Sequence, residues 1–142
     1  MNTNDMNKSF VAFSFRQGFI SPNIPIATFT QGDKELNFIL DSGSDENVID
    51  SNFLGNIEHE MTESKSSLAG LGGKVEVQSC IIPFKYGDEE FKAEFLVSDM
   101  GTPFNAIRAV HAIPIHGMLG SRFFLKYGMV LDFNSLTAHS KE

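Results

Sequence analysis

The sequence predicts a mainly β fold, and three observations carry that expectation: fourteen phenylalanines among 142 residues, frequent valine and isoleucine, and glycine-containing breaks at short intervals. β-branched and aromatic residues fit the pleated, half-buried surface of a strand, and regular turn signals between them argue against long amphipathic helices. The length suits one domain, 1–142, since single domains cluster at roughly 100–150 residues. An apolar content of 42% is enough for a real core.

Residues Phe10 to Phe15 alternate apolar and small side chains and open the chain as a strand. Ile24 to Thr30 and Glu35 to Leu40 flank Gln31-Gly32-Asp33-Lys34, a glycine-containing loop of hairpin length, so a β-hairpin ends at Asp41. Asn47-Val48-Ile49 reads as a brief strand, and Ser51 to Gly55 as a single helical turn opened by a hydroxyl and closed by glycine. Lys74 to Phe84 and Glu90 to Ser98 alternate around the turn Tyr86-Gly87-Asp88-Glu89, which predicts a second, longer hairpin. Ser121, as N-cap, precedes Arg122 to Tyr127, with a basic last turn and Gly128 beyond it, which predicts one short helix near the C-terminus. Met129 to Phe133 returns to strand, and the polar residues to Glu142 are expected to fray or to pair with a partner. The segment from Met100 to Ile113 receives no element.

Eighteen acidic against eleven basic residues give a net charge of −7, and every Lys or Arg stands alone in the sequence. Nucleic-acid binding needs concentrated positive charge, so that class of partner is disfavoured. The single cysteine, Cys80, excludes an intrachain disulfide framework, and it sits mid-strand as a small buried side chain rather than a nucleophile. No apolar run approaches the roughly 18 residues that cross a bilayer, and residues 1–9 are polar and lack the core of a secretory signal. The expectation is a soluble, cytoplasmic protein without membrane attachment, unless a leader has been removed.

The informative segment is Phe38-Ile39-Leu40-Asp41-Ser42-Gly43-Ser44. Three apolar residues run into an aspartate and a tight, hydroxyl-rich turn. A carboxylate at the end of a buried strand is costly unless hydrogen bonds compensate, and the backbone N–H groups and hydroxyls of Ser-Gly-Ser can supply them. Chance would place Asp-Ser/Thr-Gly in roughly one chain in ten of this length, and an aspartate also starts turns for purely local reasons. The position after an apolar hairpin strand makes Asp41 a candidate for acid–base chemistry. His59, His111, His116 and His139 have no spacing that suggests a metal site, and no Gly-x-Ser-x-Gly elbow exposes a serine nucleophile.

Three segments, in order, resemble the retropepsin-like aspartic protease family, in particular its small bacterial aspartyl protease domains. Phe38 to Ser44 is similar to that family's apolar-apolar-Asp-Thr/Ser-Gly-Ala/Ser motif, with Ser42 in place of the commoner threonine. Ala69-Gly70-Leu71-Gly72-Gly73 resembles the glycine-rich tip of its flap hairpin. Ile115 to Phe124, with Tyr127-Gly128 and Val130 to Phe133, resembles its apolar-apolar-Gly segment, short helix and closing strand, the pattern being read on Gly117 with His116 as an unusual neighbour. Arg122 also departs from it, standing where small bacterial relatives often carry an acid. The resemblance covers about residues 24 to 133.

The resemblance implies a closed β-barrel with a flap hairpin and one short C-terminal helix. It also implies an aspartic endopeptidase without metal or cofactor. Asp41 would be catalytic, Ser42, Gly43 and Ser44 would form the active-site turn, and Gly70, Leu71, Gly72 and Gly73 would close over an extended peptide or protein substrate. Such chemistry uses two carboxylates that share a proton. The chain has one Asp-Ser/Thr-Gly, so the second carboxylate would come from Asp41 of another copy in a homodimer. The alternative is a non-catalytic module of the same fold that binds a peptide or protein in its groove. Leu71, Ile107 and Ile115 are candidates for an apolar subsite and equally for core.

Overall fold

The computed structural model describes residues 11–19, 23–70 and 73–140, with the backbone alone described for 63–70 and 73–76. Strands β1 (Ala12–Ser14), β2 (Ile26–Gln31), β3 (Lys34–Leu40) and β4 (Asn47–Asp50) are followed by β5 (Glu60–Gly70), β6 (Gly73–Tyr86) and β7 (Glu89–Ser98). Helix α1 (Gly101–His111), β8 (Gly117–Leu119), helix α2 (Ser121–Lys126), β9 (Met129–Asp132) and β10 (Thr137–Ser140) complete the order.

Both expected hairpins form. β2 and β3 pair from Ile26↔Ile39 to Gln31↔Lys34, leaving the two-residue turn Gly32-Asp33, where Gly32 adopts a φ of 64° that a side chain would resist. β6 and β7 pair from Ser79↔Leu96 to Tyr86↔Glu89. The strand order β2-β3-β8-β4-β7-β6 closes through a β2–β6 pair at Thr30↔Lys85, which makes a six-stranded barrel. β5 adds to the outer side of β6, and residues 73–78 of β6 pair with β5 alone, so this hairpin runs on past the barrel.

Side chains of alternating strand positions fill the barrel. On β3, Leu36, Phe38 and Leu40 are buried in the main core with Phe13, Phe29, Phe84, Phe95 and Phe123. Phe29 lies 4.9 Å from both Phe13 and Phe84, ring centre to ring centre, in edge-on geometry, the arrangement that aromatic quadrupoles favour. A three-stranded sheet, β1-β10-β9, adds Phe13 and Ala138 to that core. The C-terminal strand is therefore paired within the chain, Ala12↔His139 on one side and Thr137↔Asp132 on the other. The expectation that the residues to Glu142 fray or seek a partner is corrected as far as Ser140, because this stretch is paired and Ala138 is fully buried, while Lys141 and Glu142 lie outside the described residues.

The segment without an assignment holds the longer helix. α1 buries Phe104 against Ile26 and Ile115, with Ile39, Ile107 and Met118 packed around them, and so covers the outward face of β2 and β3. Its first N–H groups are satisfied from outside the helix: Asp50 Oδ1 accepts from Met100 N at 3.1 Å, and Asp99 Oδ1 from Gly101 N at 2.9 Å. The Gly101 N–H, and after it the Asn52 side-chain amide, hold the Asp99 carboxyl below its ordinary range. Ile107 and Ile115 thus belong to a packed apolar cluster, the core reading of the two possibilities, while Leu71 lies outside the described residues.

Candidate active site

β3 carries the chain out of the core and delivers Asp41 at its end. The Asp41 N–H donates to Leu119 O at 2.8 Å, continuing the parallel β3–β8 register one step past Leu40↔Leu119. The chain then turns at once. Gly43 N donates to Asp41 Oδ1 at 3.0 Å and Ser44 N to Asp41 O at 3.1 Å. A Cβ on Gly43 would stand 3.3 Å from the same Oδ1, so glycine leaves the carboxylate room. Asp41 is half-buried, and Ser42 and Gly43 are exposed.

The far side of the turn is fixed by residues some eighty positions later. Ser121 N donates to Ser44 O at 2.7 Å, and Ser121 Oγ lies 3.1 Å from both Ser42 O and Ser44 O. Ser121 was expected to cap its own helix. Its hydroxyl instead ties α2 to the Asp41 turn, while Gly120 occupies the cap position. A Cβ on Gly120 would meet Glu46 O at 2.5 Å and Ser44 O at 2.6 Å, so only glycine allows this approach. The apolar-apolar-Gly run beside the turn is therefore Met118-Leu119-Gly120. Gly117 fits against Val48 O and the Phe38 ring instead, and His116 precedes the strand.

Asn47 completes the support and was not singled out in the sequence. It is buried on β4, accepts from Gly120 N at 2.9 Å through Oδ1, and donates to Glu94 O at 3.0 Å through Nδ2. Arg122 extends the frame toward the long hairpin. Its guanidinium reaches Glu46 at 2.8 Å and Glu94 at 3.3 Å. Glu94 Oε2 in turn accepts from Ser79 Oγ at 2.8 Å, and Ser79 Oγ lies 2.7 Å from Thr62 Oγ1. A polar chain thus runs from the Asp41 loop to the base of the β5–β6 hairpin. The Glu46 hydrogen bond raises the Arg122 pKa further and keeps the group charged.

The β5–β6 pairing continues to Gly70↔Gly73. Leu71 and Gly72, the centre of the expected flap tip, lie outside the described residues, and so do the side chains beside them. Cys80 is buried on β6, with burial, then Glu94, pushing its thiol up to about 11, far from a reactive thiolate. His116 is half-buried against the Phe53 ring and accepts from Asn37 N at 3.0 Å through Nδ1, a bond only neutral imidazole makes. Burial holds its pKa below the ordinary value, against the opposing pull of Asp50. Among the described residues, no helix is long and apolar enough to cross a membrane.

The six-stranded barrel that carries the Asp41 turn has a counterpart in fold among solved structures. The EIAV protease complexed with the inhibitor HBY-793 is similar at 22% identity over 76% of this chain and 91% of that one, with a TM-score of 0.51. The fold is retropepsin-like. No family model and no curated protein matches the chain.

Proposed function

We propose that this chain is an aspartic endopeptidase that hydrolyses peptide bonds as a homodimer. The observation that carries the reading is the Asp41 turn: a half-buried carboxylate at the end of β3, held by Gly43 N and braced by Leu119, Gly120 and Ser121 on a retropepsin-like barrel. Its kinship with the small bacterial aspartyl protease domains rests on the motifs, and the reading treats residues 1–142 as one domain.

Two Asp41 carboxylates, one from each copy, share one proton because like charges about 3 Å apart do not both ionise. The ionised one takes a proton from water as the water oxygen attacks the scissile carbonyl carbon. The protonated one gives its proton to the carbonyl oxygen, and a tetrahedral diol results. Collapse breaks the C–N bond, with one proton returning from a diol hydroxyl to a carboxylate and another passing to the leaving nitrogen. An extended substrate pairs by its main chain beneath the hairpin whose tip spans Gly70, Leu71, Gly72 and Gly73.

The test is mass-spectrometric cleavage of a diverse peptide library between about pH 4 and 7, the range in which a shared-proton dyad works, with Asp41→Asn alongside. Cleavage by the native protein alone is expected. If both proteins are dimeric and neither cuts, the peptidase reading fails and the groove is a recognition surface.

A further inference from the structure

We infer that two copies join through the apolar face around Leu125, the leucine of each copy seating in the cavity that this same face forms in the other. The inference rests on the homodimeric reading above and adds to it the surface that does the joining.

Beside the Asp41 turn lies a cavity of about 360 Å³, lined by Ser42, Ser121, Phe124, Leu125, Met129 and Leu131. Leu125 is 81% exposed, the most exposed of the large apolar side chains described, and stands on the face of α2 opposite the buried Phe123 and Phe124. A projecting apolar group at the rim of an apolar cavity is the self-complementary element that a two-fold contact requires, since the same patch must serve as both knob and hole.

Three features select a second copy as the occupant. Ser42 forms part of the wall, so whatever covers this cavity comes within one residue of Asp41, the place where a second Asp41 is needed. No lining residue is charged, although the chain carries −7, so two copies can meet here without opposing like charges. The third feature is the terminal strand, which is already used within the chain. β10 lies between β1 and β9, so association need not exchange it, while β9 is paired on only one edge among the described residues. Met129 and Leu131 of that strand are two of the lining residues.

The experiment is sedimentation equilibrium of the full chain, its Leu125→Asp variant and, as a control, Val110→Asp, the next most solvent-facing large apolar site described, on α1. Leu125→Asp is expected to raise the dimer dissociation constant at least about a hundredfold, because each dimer carries two substituted seats. Its circular dichroism should be unchanged, and its mass should return to 15.7 kDa. Val110→Asp should remain at twice that mass. A Leu125→Asp protein that stays as tightly dimeric as the native one refutes this surface and leaves the homodimeric reading standing. A native protein that stays monomeric at every concentration, and cuts nothing, refutes that reading and the surface with it. Native dimers that cut nothing refute the peptidase reading alone, because the mass of the variant still decides the surface.

Discussion

Replacing Asn47 by alanine tests whether the Asp41 turn is held from behind. The amide bridges two backbone groups: Gly120 N–H, in a buried bond, and Glu94 O, in a partly buried one. Stranding a buried backbone group costs about 1–3 kcal/mol, with the upper part of the range for full burial. We therefore take about 2 kcal/mol for Gly120 N–H and about 1 kcal/mol for Glu94 O, a loss of about 3 kcal/mol. In a domain of this size that lowers Tm by about 10 °C. Urea unfolding of both proteins at one fixed concentration measures it, because any association of copies makes apparent stability concentration-dependent. Gly120 sits against Ser44 O and Glu46 O, so release of Gly120 also frees the turn, and kcat/KM should fall alongside stability. A stability loss below about 0.5 kcal/mol, the level of an ordinary surface substitution, with cleavage unchanged, would refute the idea that Asn47 fixes the turn.

Gly120→Ala should lower stability by about 1–3 kcal/mol, the usual cost of forcing atoms into a packed site, and should impair cleavage. Gly55→Ala, where a Cβ meets nothing within 4 Å, should change neither, and the pair is read by thermal melts. His116 gives a pH dependence whose sign follows from its lowered pKa. The unfolded chain takes up the proton first as pH falls below about 6.5, so the native protein loses stability through that range and levels off below the folded value. His116→Asn should flatten this part of the Tm profile between about pH 7.5 and 5, and an unchanged slope would refute the assignment.

The parts of the fold that were legible in sequence depend on neighbours close along the chain. The β2–β3 and β6–β7 hairpins announce themselves through alternation and a two-residue glycine turn, and α2 through its closing Gly128 at a φ of 59°. β5 was silent because only Met61, Leu68 and Ala69 are apolar among its eleven residues, so no period of two appears. α1 was silent for another reason. Its buried stripe is short, its N-cap Met100 offers no oxygen, and one of the carboxylates that satisfy its first turn, Asp50, lies 50 positions earlier. Asn47 and Ser121 follow the same logic. The first reads as a strand residue and the second as a cap, and only their partners 73 and 77 positions away give them their roles at the turn.

These distant partners also explain why so weak a local motif has a well-defined geometry. The bonds described at the Asp41 turn come from Leu119 on β8 and Ser121 at the start of α2, with Gly120 packed against the turn and Asn47 holding Gly120 from β4. On the homodimeric reading proposed above, each copy thus brings a half-site whose turn is already held by its own residues. On that reading, association would supply position for only one more group, a second Asp41, rather than order two loops at once. On the same reading, that group would enter on the exposed side of the turn, at Ser42 and the cavity beside Leu125. Mutations behind the turn and mutations on its open face should thus separate cleanly, the first acting on the stability of each chain and the second on the encounter of two.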